Sequence, residues 1–292
     1  MTMPVIDISE VSRLFGFGDA ATVALDEVSL SIEKGEFLAI MGPSGSGKTT
    51  LMNTIGLLDR PSHGTYKLDG KNVARLGANR RAKLRRDNIG FIFQSFNFLP
   101  HLTIIENVAL PLTYKGMRQT KRLKIAARLL EQVGLADREY YYPHQLSGGQ
   151  LQRAAVARAL VNNPSIIIAD EPTGNLDTES TRVVMELLSE IHALGNTILM
   201  VTHNPILTRY ASRIIYMRDG NVVYDEASAV GQLPDRVQRA LDAVRTSREE
   251  ERLAGVSEYL KAMPEQKQSA KKRTAAKKPA KTKRKYTRKA KK

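Results

Sequence analysis

Apolar and β-branched residues cluster along residues 4–41: Val5, Ile6, Ile8 and Val11, then Val28, Leu30 and Ile32, then Phe37 to Met41. Runs of this kind predict several strands. A glycine-rich segment, Gly42 to Gly47, follows, and the pattern then predicts a helix from Lys48 to Leu58, a hairpin over Gly64 to Val73 and a short buried strand at Ile89 to Phe93. From Thr103 to Asn163 the spacing turns helical, with Leu123, Ala127, Leu130 and Val133 three or four positions apart. Buried strands recur at Ile166–Ala169 and Thr197–Val201, separated by a helix over Thr178–Ala193 with Val183, Val184, Leu187, Leu188 and Ile191 on one face. Strands at Arg213–Met217 and Val222–Tyr224 flank the turn signal Asp219-Gly220. A last helix is predicted from Pro234 to Ala262, with Val237, Leu241 and Val244 on one face.

Strands that alternate with helices and carry continuous apolar runs predict an α/β fold with a mostly parallel sheet covered on both faces. The early strands add an antiparallel β subdomain, and the stretch 103–163 is long enough to be an inserted α-helical subdomain. The expected organisation is a folded body over 4–226, a helical extension over 227–263 and a disordered Lys/Arg-rich tail over 264–292.

Charge sharpens that division. The net charge is +15, but 14 Lys and Arg against one Glu fall in Pro264–Lys292, leaving 31 basic and 29 acidic groups elsewhere. The polycation is therefore a tail, too poor in apolar groups to offset its ordering entropy. Such a tail suits anionic lipid, nucleic acid or ribosomes, or it is a solvated charge run without a specific partner. The absence of cysteine excludes disulfides, thiolate metal sites and a cysteine nucleophile, and fits a reducing cytosol. No apolar run approaches the ~18–20 residues that span a bilayer. The opening MTMPVIDISE has no signal-peptide pattern. Work at a membrane would require another chain to supply the membrane part.

Two segments carry chemistry. Gly42-Pro43-Ser44-Gly45-Ser46-Gly47-Lys48-Thr49 fits G-x-x-x-x-G-K-[ST], after a predicted strand and before a predicted helix. Glycines there let successive N–H groups turn toward a phosphate, and the helix N-terminus adds positive partial charge. In such a loop Lys48 reaches the β- and γ-phosphates and the Thr49 hydroxyl is a Mg²⁺ ligand, with Thr50 in the same first turn. The second segment, Ile166 to Glu171, is an apolar strand ending in two carboxylates. Asp170 suits Mg²⁺, and Glu171 suits polarising an attacking water. Together the segments point to nucleoside triphosphate hydrolysis.

Leu146-Ser147-Gly148-Gly149-Gln150 lies shortly before that strand and opens a helix. With it, the chain from about Val5 to Tyr224 resembles the nucleotide-binding subunit of an ABC transporter. Phrases such as IMGPSGSGKTTLMNTIGLLDRPSHGTY and QLSGGQLQRAAVARALVNNPSIIIADEPTGNLD are similar to the lipoprotein-release and macrolide-export type ATPases. The resemblance implies further roles. Gln94 matches the Q-loop glutamine, a Mg²⁺ and water contact. Asn175-Leu176-Asp177 matches the D-loop, and His203 matches the switch histidine at the γ-phosphate. Phe15 matches the aromatic that stacks on adenine, although Tyr is commoner there, and Val23 would pack on the same ring. It also implies a head-to-tail dimer on two ATP molecules. Ser147 and the Gly148–Gly149 amides, with Gln150, would reach the γ-phosphate held by the Lys48 loop of the other subunit. A separate membrane permease would dock after the Q-loop, near Phe96, Phe98, Leu99 and Leu102, or these four pack the helical subdomain. The implied cofactors are ATP and Mg²⁺, and the implied location is the inner face of the cell membrane. His63, His101, His144 and His192 match no catalytic position.

The competing reading is a soluble or division-type ABC ATPase acting without transport, on nucleic acid or ribosomes. Only 98 residues separate Lys48 from Ser147, too few for the long coiled coil of chromosome-type ATPases, and one set of motifs is present rather than the two of translation factors. Truncation after Met263 is expected to leave ATP turnover at the parental rate in a steady-state phosphate-release assay.

Overall fold

The computed structural model describes residues 3–16, 22–227 and 238–239, and among these, ten strands form two sheets. The first is antiparallel, in the order β2-β1-β4-β5, from β1 (Ile6–Phe15), β2 (Thr22–Ile32), β4 (His63–Leu68) and β5 (Lys71–Asn72). The second has the order β10-β9-β3-β8-β7-β6. It comprises β3 (Phe37–Met41), β6 (Ile89–Phe93), β7 (Ile166–Asp170), β8 (Thr197–Val201), β9 (Arg213–Arg218) and β10 (Asn221–Asp225). All its pairings are parallel except β9 with β10.

The central strands read as unbroken apolar runs because both faces of this sheet are covered. Leu38 and Ile40 of β3 enter a core shared with the antiparallel sheet and helix α1 (Lys48–Ile55), whereas Phe37, Ala39 and Met41 enter a core built with the helices on the other face. Ile166 and Ile168 of β7 alternate with Ile167 and Ala169 in the same way. A third core lies in the helical insertion, where Ile105 and Val108 of α3 (Ile104–Tyr114), Leu130 of α4 (Gln119–Gln132) and Ala154 of α5 (Gly148–Leu160) pack together. The helical stretch expected over 103–163 is thus three helices, with two short 3-10 turns between α4 and α5.

Two details differ from the sequence pattern. Helix α1 (Lys48–Ile55) stops before Leu58. Gly56 packs against the Phe91 ring, where a Cβ would stand 2.5 Å from Cζ, and Leu57 adopts φ 56, so the chain leaves the helical path there. Helix α2 (Ala78–Asn88), ANRRAKLRRDN, is absent from the hydrophobic pattern because none of its residues is buried. The expected helix over Pro234–Ala262 and the tail over 264–292 lie outside the described residues, apart from Gln238 and Arg239, which are helical.

Arg213 at the start of β9 ties the two sheets together. Its guanidinium donates to both carboxylate oxygens of Asp225 (2.8 and 2.6 Å), to Glu36 (3.1 Å) and to the carbonyl of Ser31 in β2 (2.9 Å). The three side chains are only 11–13% exposed. Removing the cation strands two shielded carboxylates. Arg213→Ala is expected to lower unfolding stability by ~3 kcal/mol, read as a shift of the urea midpoint at unchanged slope.

Candidate active site

The parallel register brings several of the candidate residues to one end of the sheet. Phe93 pairs with Asp170, Asp170 with Val201, and Val201 with Ile40. The residues one step further along these strands, Gln94, Glu171, Thr202 and Met41, therefore emerge in one row. Ligand sites in open α/β sheets gather outside such carboxyl ends.

The glycine loop leaves β3 at Gly42, which has φ 149 and lies so close to β9 that a Cβ would stand 2.3 Å from the Met217 carbonyl. Gly45 and Gly47 also take positive φ, 80 and 95. Ser46 donates its amide to Pro43 and accepts from Gly220. Among the described residues, the amides of Gly45, Gly47, Lys48, Thr49 and Thr50 have no protein acceptor, and α1 has neither a side-chain cap nor an acid in its first turn. The Ser46 hydroxyl is buried without a partner. Lys48 curls back, its Nζ donating to the carbonyls of Gly42 (2.9 Å) and Pro43 (2.7 Å). The result is a positively polarised cradle with unused donors, suited to a polyphosphate.

Burial pushes the Lys48 ammonium below its ordinary pKa, against the attraction of Glu171 and Asp170. Burial likewise raises the Asp170 carboxyl, with Glu171 adding repulsion and Lys48 opposing both. Three charges thus share a partly dehydrated pocket. Glu171 is held firmly: Oε1 accepts from the His203 amide (2.8 Å) and lies 2.7 Å from Nδ1 of the same residue, while Oε2 accepts from the Thr202 hydroxyl (3.2 Å). Its backbone is left-handed, φ 43, and its amide donates to Val201. The His203 side chain is 74% exposed, so its ring faces outward from a fixed backbone.

Gln94 faces Asn175, with Nε2 3.4 Å from the Asn175 Oδ1 and the Asn175 amide returning a bond to the Gln94 carbonyl (3.2 Å). Phe15 pairs with Thr22 and Val23 with Leu14 at the end of the antiparallel sheet; Phe15 and Val23 are both exposed, and the Arg13 guanidinium covers the Phe15 ring at 4.3 Å.

Ser147, Gly148, Gly149 and Gln150 form the tip of α5 but do not meet the Lys48 loop. The neighbours nearest Gly148 are Leu176, Asn175 and Phe96, and those of Gly149 belong to Ser180. Ser147 is the cap of α5, its hydroxyl accepting from the Gln150 amide (3.3 Å) while Gln150 Oε1 accepts from the Ser147 amide (2.9 Å). Asp177 caps α6 (Thr178–Ala193) through Ser180, and these bonds lower its carboxyl pKa. Of the four residues expected after Gln94, Phe98 packs against the helical core and Leu99 is exposed.

Sequence reasoning missed Thr202 and Arg158. Thr202 clamps Glu171, and Arg158 donates to the carbonyls of Phe96 (2.5 Å) and Asn97 (2.8 Å) beneath the Phe98 ring. Neither stands in a distinctive local pattern. Gly42→Ala is expected to destabilise the protein by ~1–3 kcal/mol in the absence of nucleotide, because the added methyl meets the β9 backbone; a lowered melting temperature checks this.

The family model described as ABC transporter matches residues 25–174. The chain is 49% identical over 228 residues to "Macrolide export ATP-binding/permease protein MacB" of Hyphomonas neptunium, covering 78% of this chain and 35% of that one. It is 51% identical over 219 residues to "Uncharacterized ABC transporter ATP-binding protein MJ1508" of Methanocaldococcus jannaschii, covering 75% and 98%. It therefore spans 35–40% of the length of the MacB relatives and nearly all of MJ1508. Among solved structures it is similar to "Dimeric structure of a post-hydrolysis state of the ATP-binding cassette MJ0796 bound to ADP and Pi", with TM-score 0.70, 43% identity, and 76% and 97% of the two chains covered.

Proposed function

This chain belongs to the ABC transporter family, and from that premise we propose that it is an ATP-binding, ATP-hydrolysing subunit. In this reading it closes as a homodimer on ATP and drives a separate membrane permease, for export, lipoprotein release or mechanotransmission. The observation that carries the reading is the Glu171 carboxylate, clamped by Thr202 and the His203 backbone one residue beyond Asp170 and electrostatically coupled to Lys48.

Lys48 and the open amides from Gly45 to Thr50 hold the β- and γ-phosphates, with Gly42, Pro43, Ser44 and Ser46 shaping the loop. Lys48 gives up its carbonyl contacts for phosphate oxygens. Phe15 stacks on adenine with Val23 at its side. No cluster of three or more His, Cys, Asp or Glu occurs among the described residues, so the donor set on offer is the Thr49 hydroxyl, the Asp170 carboxylate and the Gln94 amide oxygen. Such hard oxygen donors fit a Mg²⁺ that shares its coordination with substrate phosphates, and the ion, when bound, neutralises phosphate charge. Glu171 takes the proton of the attacking water, and His203 contacts the γ-phosphate. Ser147, Gly148, Gly149 and Gln150 of a second copy close over that phosphate, with Asp177 at the same seam. Their separation from the Lys48 loop within one chain supports a site shared between copies, and the dimeric ATP-binding cassette MJ0796 supports the same assembly.

No helix among the described residues is long and apolar enough to cross a membrane. Relatives named as ATP-binding/permease proteins support a permease as partner. It would dock near Phe96, Phe98, Leu99 and Leu102 and hold the chain at the inner face of the membrane.

Lys48→Ala is expected to abolish ATP binding in equilibrium dialysis; parental affinity would overturn the phosphate-loop assignment. Glu171→Gln is expected to bind ATP, turn it over about 10²–10⁴-fold more slowly, and accumulate as a dimer in sedimentation. Turnover at the parental rate would remove Glu171 from its role.

A further inference from the structure

Charge within the folded body is unevenly spread. Residues 75–128 carry 12 Lys and Arg against two acids, Asp87 and Glu106, while the rest of residues 1–263 holds 19 basic and 27 acidic groups. Helix α2 and the turn from α3 into α4 join these cations into one face. Arg86 of α2 donates to the carbonyl of Tyr114 (2.7 Å), and Lys115 reaches Asp87 (3.9 Å). From that seam Arg80 and Lys83 run back along α2, and Arg118, Lys121, Lys124 and Arg128 run out along α4, all exposed. Their spacing keeps the α4 residues on one side of the helix, opposite Ala126 and Leu130 in the helical core. Both acids are already engaged. Asp87 is gripped by Arg86 with two bonds of 2.8 Å, and these bonds, with the charges of Arg86, Lys115 and Lys83, hold its carboxyl below the ordinary carboxylate range. Glu106 caps its own helix through Thr103. Among the described residues, no carboxylate pairs with the six exposed cations. Beside them, burial and repulsion from Arg60 and Arg85 push the Arg81 guanidinium down.

So many unanswered cations ask for an extended polyanion. A protein interface has an apolar centre, and a nucleic-acid groove lines up several aromatics on which bases stack. The six cations surround neither. Tyr114 is the one aromatic at the seam, 70% exposed between Arg86 and Lys115. A lone tyrosine set among lysines and arginines suits the boundary between lipid headgroups and acyl chains, where its ring is half buried and its hydroxyl and the ammonium groups stay wet. We propose that the face formed by α2, the α3–α4 turn and the outer side of α4 lies on a bilayer containing anionic phospholipid. The cations meet the phosphates and Tyr114 sits at headgroup level. This rests on the reading that the chain works beside a membrane permease. It goes beyond recruitment by the basic segment Pro264–Lys292, because a contact made by two fixed helices orients the folded body on the lipid.

The full chain has no cysteine, so a single one can carry a fluorophore. Thr120→Cys places it beside Lys121 on α4, and Leu194→Cys places it at an 83% exposed position after α6. Each labelled chain is mixed with phosphatidylcholine vesicles, with or without phosphatidylglycerol, that contain a brominated quencher lipid. Co-sedimentation reads total binding, and quenching reads which face meets the lipid. With phosphatidylglycerol the label at 120 is expected to be quenched and the label at 194 not; without it, neither. Lys83→Glu with Lys121→Glu and Lys124→Glu is expected to cut the quenching at 120 at least about tenfold, while the chain still co-sediments through its basic tail. Should that variant melt at a lower temperature than the parent, Lys121→Gln with Lys124→Gln replaces it, with a smaller loss expected in the same direction. Co-sedimentation without quenching at 120, equal quenching at 120 and 194, or quenching at 120 that survives charge inversion would assign the binding to the tail or to no defined face and overturn the proposal. Absence of vesicle binding, or quenching on phosphatidylcholine alone, would overturn it too. Raised anisotropy of the label at 120 with single-stranded RNA or with polyglutamate, and no quenching by vesicles, would make the face a nucleic-acid or protein site instead. The vesicles contain neither permease nor nucleotide, so failure here is distinguishable from failure of the permease reading, which shows as no membrane protein co-purifying with the chain.

Discussion

The shared register of β6, β7, β8 and β3 is the constraint on which the rest of this molecule depends. Backbone hydrogen bonds set Phe93, Asp170, Val201 and Ile40 side by side. A one-residue slip in any of these strands would exchange its two faces between two separate cores, so the register is enforced by burial on both sides. What burial enforces is also what aligns the next residues along each strand, including Gln94, Glu171 and Thr202. Packing in the middle of the sheet thus positions chemistry at its edge.

At that edge the charges are held at a cost. Lys48 is disfavoured as an ammonium and Asp170 as a carboxylate, each by dehydration, and each partly compensates the other. Neither has a settled ion pair: Lys48 spends its donors on the carbonyls of Gly42 and Pro43. Contacts of that kind are weak enough to be exchanged for a polyanion, and the unused loop amides stand ready for the same ligand. Glu171 is the counterexample in the same pocket. Its carboxylate is fixed by three protein contacts and a left-handed backbone, which suits a group that must act on a water in a defined position.

The helical insertion is joined to this edge by a few specific contacts. Arg158 of α5 holds the loop after Gln94, Gln94 and Asn175 exchange amide bonds, and Leu176 and Ser180 pack against Gly148 and Gly149. The tip of α5 is therefore packed on the segments that follow β6 and β7. This gives a physical route by which a group bound near Asp170 and a body seated on the insertion can influence one another, without a contact between them.

Local pattern alone was enough to reveal the apolar central strands, the glycine loop and the two carboxylates at the end of and just after β7, because all three are local signals: unbroken β-branched runs for strands buried on two faces, and fixed spacings of glycine, lysine and acid for phosphate chemistry. Resemblance added Gln94, Ser147 and His203 as candidates. Tertiary structure decided what has no local signature. Helix α2 carries no apolar stripe, so periodicity passed over it, and only its position beside β6 makes it the wall of a cationic groove. Thr202 matters because parallel pairing sets it beside Glu171, and Arg158 because folding buries it under Phe98. Spacing along a chain records which groups are available; the distances that make them partners are created only when strands from remote segments are brought into one sheet.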